Sequence, residues 1–429
     1  MRDFATSSSP AVQRQLDRLA ALSVPEGRLG LETIRALLAR LGDPHLRLPP
    51  AFHVAGTNGK GSTCAFLRAM LEAQGYRVHV TTSPHLVRYN ERIRVAGELI
   101  SDARLAELLA EVLDAGDDLN PSFFEVTIAA AFLEFARVPA DACVIEVGLG
   151  GRFDATNVIE KPAACGIASL GIDHERFLLT PEAGTPEEPL ARIAFEKAGI
   201  AKEGVPLATL AYPQAATGEI SRVAKKAGAS LAMRGLAWHL EVTGHGLEYR
   251  DRHGPLTLPL PALPGAHQAE NAGLAVAMLR HQRAVTVSHD AMAAGIRTAQ
   301  WPARLQRLTQ GPLAGDREVW LDGGHNADAG AMVARHFAGQ RVHLIIGMLA
   351  NKDPAALIAP MRASLASVIA VPVPAHDHHN AAAFGLDVAH AADVPAALAA
   401  LPDDGLPVLI AGSLYLAGEV LRLNGEMPD

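Results

Sequence analysis

Residues 56–63 carry the residue types that bind a nucleotide phosphate. They read Gly-Thr-Asn-Gly-Lys-Gly-Ser-Thr, directly after the apolar run 51–55 and at the start of the amphipathic stretch 62–74. Glycines let backbone N–H groups approach phosphate oxygens, a helix N-terminus favours an anion, lysine adds positive charge and a hydroxyl can reach magnesium. Gly61 separates Lys60 from the hydroxyl residues, a departure from the general phosphate-loop pattern. We predict ATP or GTP binding by Gly56, Thr57, Asn58, Gly59, Lys60, Gly61, Ser62 and Thr63.

Polar residues stand at the ends of three other apolar runs. Glu146 lies near the end of one run, while Ser83 and His174 follow the other two. Carboxyl ends of parallel strands meet at one edge of a sheet, so these three residues could converge on one magnesium ion near the phosphate loop. Histidine is an unusual ligand for so hard a cation.

Two further segments allow more than one interpretation. The residues alone favour Lys197 as a cation that compensates the C-terminus of the predicted helix 190–198. The glycine-rich segment 148–154 imitates a dinucleotide fingerprint, but Phe153 stands where the third glycine belongs, so we do not expect NAD binding. The sequence has no GxSxG motif, the turn that carries the nucleophile in serine hydrolases, so a catalytic serine triad is disfavoured.

The alternation of apolar runs and amphipathic stretches predicts an α/β protein with two doubly wound domains. The N-terminal domain, 1–300, is expected to be phosphate-loop-ATPase-like and mostly parallel; the C-terminal domain, 301–429, is expected to be smaller and Rossmann-like. In the first, strands are expected at 51–55, 76–82, 142–147, 163–170 and 205–210, helices at 62–74, 123–136, 190–198, 268–280 and 289–298, and an accessory β-hairpin within 241–260. In the second, strands are expected at 318–321, 342–346, 367–373 and 408–410, and helices at 327–337, 354–365, 394–401 and 414–423. Polar strand ends at 322–326 and 411–415 are suited to small ligands.

Composition narrows the classes of partner and compartment. The chain has 429 residues, 49% of them hydrophobic, and a formal net charge of −8. An acidic surface repels phosphodiester backbones, so nucleic acid is not an expected partner. Three cysteines without paired spacing, no apolar leader and no long apolar run predict a cytoplasmic protein without membrane contact, and we expect a monomer.

Five segments together resemble the bacterial dihydrofolate synthase/folylpolyglutamate synthase family of Mur-type ATP-dependent ligases. They are VAGTNGKGST at 54–63, TSPHLVRYNERIRV at 82–95, VIEVGLGGRFDATN at 144–157, EKAGI at 196–200 and DGGHN at 322–326. The resemblance extends from about residue 29 to residue 419. The resemblance implies a Mur-ligase-like fold, with an ATP- and pterin-binding first domain and a glutamate-binding second domain.

The resemblance also implies roles for individual residues. Lys60, His174 and Lys197 would be catalytic, and Lys197 would be carbamylated and thus become a metal ligand. Two Mg²⁺ ions are expected, with ligands Ser83, Glu146, His174 and Lys197. Further ATP contacts would be Asn271, Arg304 and Asp322. Pterin contacts would be Leu29, Gly30, Leu31, Ser122, Phe123, Phe124, Glu125, Phe153, Asp154 and Ala155, and glutamate contacts His325 and Ser413.

The implied activity is ATP-dependent addition of L-glutamate to 7,8-dihydropteroate and to the γ-carboxylate of reduced folates, through an acyl phosphate. The alternatives are a monofunctional folylpolyglutamate synthase or a Mur-type peptide ligase, and outside the family a phosphate-loop kinase or GTPase or a nucleotide-gated binding module. One segment departs from the family pattern: 181–189 is acidic, rich in proline and longer than expected between His174 and Lys197.

Overall fold

Contacts within the chain divide it into two compact units. The computed structural model describes residues 6–22, 30–385 and 387–428. The first unit comprises residues up to 84 together with 88–262 and 268–300, and the second comprises 85–87, 263–267 and the residues from 301 onward. Each unit is built around its own sheet.

An eight-stranded sheet organises the first unit. Its strands are β1 (Ala51–Ala55), β2 (Val78–Thr81), β3 (Ile93–Val95), β4 (Glu98–Leu99), β5 (Ala142–Glu146), β6 (Ala164–Ile167), β7 (Pro206–Thr209) and β8 (Ser230–Met233). Their spatial order is β4-β3-β2-β5-β1-β6-β7-β8. The six strands from β2 to β8 in this order run parallel, and β3 and β4 form an antiparallel edge. All residues of β1 and β5 are buried, as in a parallel sheet covered on both faces.

Ten helices belong to the described part of the first unit. They are α1 (Pro10–Ala21), α2 (Glu32–Arg40), α3 (Lys60–Ala73), α4 (Asp102–Ala115), α5 (Phe123–Arg137), α6 (Glu175–Leu178), α7 (Pro189–Ala198), α8 (Gln214–Ala227), α9 (His267–His281) and α10 (His289–Thr298). One core cluster joins Leu37 of α2 and Phe132 of α5 to Ile145 of β5. Another joins Ala194 of α7 and Ile220 of α8 to β6 and β7. The fold class predicted from the alternation of elements is confirmed, and the boundaries predicted for this unit shift by at most three residues outside the accessory hairpin.

The prediction of an accessory β-hairpin within 241–260 is wrong in the number of strands. Three antiparallel strands form a separate small sheet: β9 (Trp238–Thr243), β10 (Gly246–Asp251) and β11 (Gly254–Leu258). Trp238 is fully buried and stacks on Tyr249 with ring centroids 5.8 Å apart. Because Trp238 packs in this way, β9 begins at residue 238, three residues before the segment in which we predicted the hairpin. Two-residue turns then connect three strands, where we expected two.

The second unit is a smaller α/β layer structure. Its strands are β12 (Gln306–Arg307), β13 (Val319–Asp322), β14 (Val342–Ile346), β15 (Leu365–Ala370), β16 (Ala389–His390) and β17 (Val408–Ala411), in the order β12-β13-β17-β14-β15-β16. Only β12 is antiparallel to its neighbour. Its helices are α11 (Ala327–His336), α12 (Ala355–Met361), α13 (Val394–Ala400) and α14 (Leu414–Asn424).

The predicted helix 354–365 is too long. It ends at Met361, and Leu365 already belongs to β15, where it pairs with Val342. The residues that the helical pattern assigned to a last turn therefore connect to the sheet instead. Elsewhere, no helix among the described residues is both long and apolar enough to span a membrane.

Candidate active site

The loop between β1 and α3 requires glycine at two positions. Gly56 and Gly59 have φ angles of 153° and 81°, which side chains rarely adopt. A Cβ atom at Gly59 would lie 2.5 Å from the amide oxygen of Asn271, and one at Gly56 would lie 2.9 Å from the Cβ atom of Ala168. The predicted nucleotide-binding residue Asn271 therefore lies directly against the loop.

The end of β6 holds this loop in place. The Thr57 amide donates to the Ser169 carbonyl at 2.7 Å, and the Thr57 hydroxyl donates to the Gly171 carbonyl at 2.9 Å. The Ser169 hydroxyl donates to the Asn58 carbonyl at 3.1 Å. These bonds fix the backbone of the loop, as a phosphate cradle at a helix N-terminus needs.

Two lysine amines meet at one carbonyl of the loop. Lys60 Nζ donates to the Gly56 oxygen at 3.1 Å and to the Thr57 oxygen at 3.2 Å, and Lys197 Nζ donates to the same Gly56 oxygen at 2.9 Å. Lys197 is buried, and this burial, with the positive charge of Lys60 as the next cause, lowers its pKa to about 7. Lys197 lies in the last turn of α7, as the sequence predicts, but its amine is directed at the phosphate loop and not at the carbonyls of its own helix terminus.

Glu146 and Ser83 come together beside this loop. The Ser83 amide donates to Glu146 Oε2 at 3.2 Å, and the Glu146 side chain is buried at the carboxyl end of β5. The register of β2 on β5, with Thr81 opposite Ile145, produces this approach. The charges of Glu146 and Lys60 both act on the pKa of buried Cys64, on α3, in opposite directions.

Glu146 and Ser83 provide oxygen donors that fit a magnesium ion whose other ligands are a phosphate and water. In the ranges that the structure describes, no three His, Cys, Asp or Glu side chains come together so as to hold a metal ion by themselves. Mg²⁺ keeps several waters and typically binds one or two carboxylates plus substrate phosphates. The Glu146 carboxylate and the Ser83 hydroxyl are hard oxygen donors of the required kind.

His174 lies at the start of α6 in a left-handed conformation, with φ of 54°. Its amide donates to Asp173 Oδ1 at 2.7 Å. The negative charge of Asp173 acts against the lowering of the Lys197 pKa. Sequence reasoning selected His174 from this strand end and missed Asp173, although the same segment contains both.

The predicted pterin residues have diverse local roles. Ser122 and Glu125 form a capping box at the start of α5, in which Ser122 N donates to Glu125 Oε2 at 2.7 Å. Phe123 packs edge-on against Tyr89 with centroids 5.8 Å apart. Phe124 is half-buried, and its ring lies so close to Gly148 that a Cβ atom there would be 2.4 Å from it.

Asp154 holds the segment that follows Gly148 through hydrogen bonds to backbone amides. Asp154 is buried and accepts from the Leu149 amide at 2.7 Å and from the Thr156 amide at 3.0 Å. Burial raises the pKa of Asp154. Phe153 lies under the Arg152 guanidinium at 4.2 Å. Ala155 is buried, Gly30 and Leu31 precede α2, and Leu29 lies outside the described residues.

Two polar strand ends of the second unit are neighbours, because Asp322 of β13 pairs with Ala411 of β17. Asp322 Oδ1 accepts from the Gly324 amide at 2.7 Å, and its Oδ2 accepts from the Leu305 amide at 2.9 Å. Burial raises the pKa of Asp322, while Arg304 acts in the opposite direction.

Both predicted glutamate contacts lie in the loops that follow these strands. His325 Nδ1 is 3.1 Å from the Gly323 oxygen. Ser413 is buried and caps α14, where its hydroxyl accepts from the Tyr415 amide at 3.1 Å. The loops touch, since a Cβ atom at Gly323 would lie 2.3 Å from a methyl of Leu414.

Taken together, the fold and this site define a phosphate-loop α/β protein of the Mur ligase type. No family model matches the chain. The dihydrofolate synthase/folylpolyglutamate synthase of Escherichia coli (strain K12) is 39% identical over 340 residues, which cover 77% of this chain and 74% of that protein. The chain belongs to the dihydrofolate synthase/folylpolyglutamate synthase family.

Solved structures agree with this assignment. The structure of E. coli FolC in complex with DHPP and ADP has a TM-score of 0.85 and 32% identity, and the match covers 97% of this chain and 98% of that one. A bifunctional folylpolyglutamate synthase/dihydrofolate synthase with Mn, AMPPNP and L-glutamate bound has a TM-score of 0.83 and 30% identity, with 97% and 98% covered.

Proposed function

We propose that this protein is an ATP-dependent ligase that joins L-glutamate to the carboxylate of 7,8-dihydropteroate and to the γ-carboxylate of reduced folates. The observation that carries the proposal is the phosphate loop, on which two lysine amines converge at Gly56 with the Glu146–Ser83 pair beside it. The family to which the chain belongs supports the choice of acceptor and amine.

ATP is held first by the loop. The backbone N–H groups at the start of α3 and the Lys60 amine receive the phosphates, and Asn271 contacts the nucleotide from α9. The position of Asn271 against Gly59 supports this role. Arg304 and Asp322 are proposed as further nucleotide contacts.

A divalent cation accompanies the nucleotide. Ser83 and Glu146 would hold one Mg²⁺, and His174 with a modified Lys197 would hold a second. When bound, such ions neutralise phosphate charge and favour phosphoryl transfer.

Lys197 is proposed to be carbamylated. Carbon dioxide reacts with the neutral form of an amine, and a pKa of about 7 makes that form abundant at neutral pH. The product is an anion whose oxygens suit Mg²⁺, in place of a buried cation. The position of Lys197 supports carbamylation: the amine is buried beside Lys60, and carbamylation would remove the repulsion between the two positive charges.

The acceptor is proposed to lie against Phe124, which offers a half-buried ring for a flat heterocycle. The other proposed pterin contacts are Leu29, Gly30, Leu31, Ser122, Phe123, Glu125, Phe153, Asp154 and Ala155. Ser122, Glu125 and Asp154 also hold the local backbone through hydrogen bonds.

His325 and Ser413 are proposed to hold the incoming glutamate.

The chemistry has two steps. An acceptor carboxylate oxygen attacks the γ-phosphorus of ATP, and the bond to the bridging oxygen breaks to release ADP. The glutamate amine then attacks the acyl carbon of the resulting acyl phosphate, loses a proton and expels inorganic phosphate. Phosphoryl transfer depends on positioning and charge neutralisation, which Lys60 and the loop supply without a covalent protein nucleophile.

ADP formation by the purified protein tests the proposal. The assay contains Mg-ATP and L-glutamate, with either 7,8-dihydropteroate or a reduced folate as acceptor, and each component is omitted in turn. We expect turnover on both acceptors that requires glutamate. Turnover on one acceptor restricts the activity to a single synthase, and turnover without glutamate supports a kinase or ATPase instead.

We further propose a cytoplasmic location. The three cysteines, Cys64, Cys143 and Cys165, are free and buried, which suits a reducing compartment.

A further inference from the structure

The acidic segment 181–189 leads into the helix that carries Lys197 and contacts it through several side chains, of which Glu182 is one. Glu182 Oε1 accepts from Arg152 Nη1 at 3.1 Å, and Glu182 Oε2 lies 3.3 Å from Arg192 Nη2. Arg192 belongs to α7, and its Nη1 also donates to the hydroxyl of Thr185 in the same acidic segment. The segment is thus attached to α7 by ionic and hydrogen-bonding contacts.

A second carboxylate completes a closed arrangement of four charges. Glu196 accepts from Arg152 Nε at 3.1 Å, and its Oε1 lies 3.0 Å from Arg192 Nη2. Each arginine therefore contacts both Glu182 and Glu196. The side chains of Arg192 and Glu196 are each only 6% exposed and those of Arg152 and Glu182 are 21% and 19% exposed, so the arrangement is buried on one side and partly open to solvent on the other.

The four charges are coupled to the last turn of α7. Glu196 directly precedes Lys197, and the Arg152 amide donates to the Glu196 carbonyl at 2.8 Å. A Cβ atom at Gly151 would lie 2.8 Å from the Glu196 oxygen and 2.9 Å from the Lys197 oxygen. The backbone around Lys197 has little room, so a change in the ion pairs is transmitted to it.

From these contacts we infer that Glu182 is a positioning residue for Lys197: its carboxylate, shared by Arg152 and Arg192, fixes the last turn of α7 so that the Lys197 amine points at Gly56. The inference rests on the proposed carbamylation of Lys197. Without Glu182, the buried Arg192 guanidinium and the partly exposed Arg152 guanidinium compete for Glu196 alone, and removing one partner leaves buried charge without compensation, which is unfavourable. The turn then shifts, and displacements of about 1 Å can change reactivity by on the order of 100-fold.

The test compares Glu182→Gln with Glu187→Gln, a matched change at an exposed acid of the same segment. Carbamate on each protein is measured by ¹³C NMR with ¹³C-bicarbonate, a readout that does not require turnover. We expect the bicarbonate concentration for half-maximal signal to rise about tenfold in Glu182→Gln and to stay at the wild-type value in Glu187→Gln. Bicarbonate should also restore the lost kcat of Glu182→Gln, which partial unfolding would not allow.

Equal bicarbonate dependence in the two variants overturns the inference. Turnover by the wild type without a carbamate signal also overturns it but leaves the ligase reaction standing. A carbamate signal that depends on Glu182 without glutamate-dependent turnover supports the inference and contradicts the proposed function. If Glu182→Gln does not fold, Glu182→Asp is compared with Glu187→Asp. The half-maximal bicarbonate concentration should then rise less, because aspartate keeps the negative charge but its shorter side chain reaches the two arginines less well.

Discussion

Lys197 Nζ donates a hydrogen bond of 2.9 Å to the carbonyl oxygen of Gly56, a residue 141 positions earlier in the chain. The bond joins the end of α7 to the first residue of the phosphate loop. It places a buried amine of lowered pKa where nucleotide phosphates are expected. The contact therefore links the proposed modification of one lysine to the loop that the other lysine, Lys60, also holds.

Lys60→Ala is expected to abolish ligation to both acceptors. The change removes a positive charge at the phosphates and two hydrogen bonds to the loop carbonyls. We expect a loss in kcat of at least about 100-fold, measured as glutamate-dependent ADP formation. Lys225→Ala, at an exposed position of α8, should retain wild-type rates. Retention of either activity by Lys60→Ala would contradict a shared nucleotide site.

Carbamate formation on Lys197 should depend on pH. Its pKa of about 7 lies below the ordinary value of 10.5, so the neutral, reactive amine becomes the main form as pH rises through 7. At constant dissolved CO₂, the rate of carbamate formation should rise about tenfold between pH 6 and pH 8, measured by the ¹³C carbamate signal. Lys197→Met should give no such signal. A rate that does not change across this range would show that the amine is already neutral at pH 6, and a rise of about 100-fold would show that its pKa lies well above 8; either result would contradict a pKa of about 7.

Phe124→Ala should weaken binding of the pterin acceptor selectively. The ring lies half-buried against Gly148, and the hydrogen bonds that hold the phosphate loop come from other residues, so its removal should raise the acceptor KM about tenfold and leave the KM for ATP within about twofold. Steady-state kinetics with dihydropteroate and with a reduced folate measure both constants. An equal rise in the two KM values would indicate a general disturbance of α5 and not a pterin contact.

Gly295→Ala should destabilise the first unit. A Cβ atom at this position of α10 would lie 2.5 Å from the Met70 backbone nitrogen of α3, so the two helices must separate. The expected loss is about 2 kcal/mol in the free energy of unfolding, measured by urea denaturation. Gly218→Ala is the matched control, because nothing lies within 4 Å of its added methyl group. It should stabilise α8 by about 1 kcal/mol, and equal effects would contradict the packing argument.

Local patterns were sufficient for most elements of the fold. The run 51–55 matches β1 residue for residue, and 342–346 matches β14, because short apolar runs in parallel sheets are buried on both faces and carry a strong signal. The predicted helix 354–365 failed at its end, since pairing of Leu365 with Val342 outweighs local helical preference. The three-stranded small sheet was missed because burial of Trp238 is a tertiary contact.

The amino-acid sequence was sufficient to predict the phosphate loop, because the spacing of glycine and lysine between a strand and a helix depends only on neighbouring residues. It also marked Glu146, Ser83 and the segment around Lys197. The contact that Lys197 makes depends on tertiary structure: the residues alone favoured a cation at a helix terminus, yet its amine is buried against Gly56. A pKa depends on desolvation and on charges distant in sequence, here chiefly burial and Lys60. The shared ion pairs of Glu182 likewise arise only when the chain brings Arg152 and α7 together.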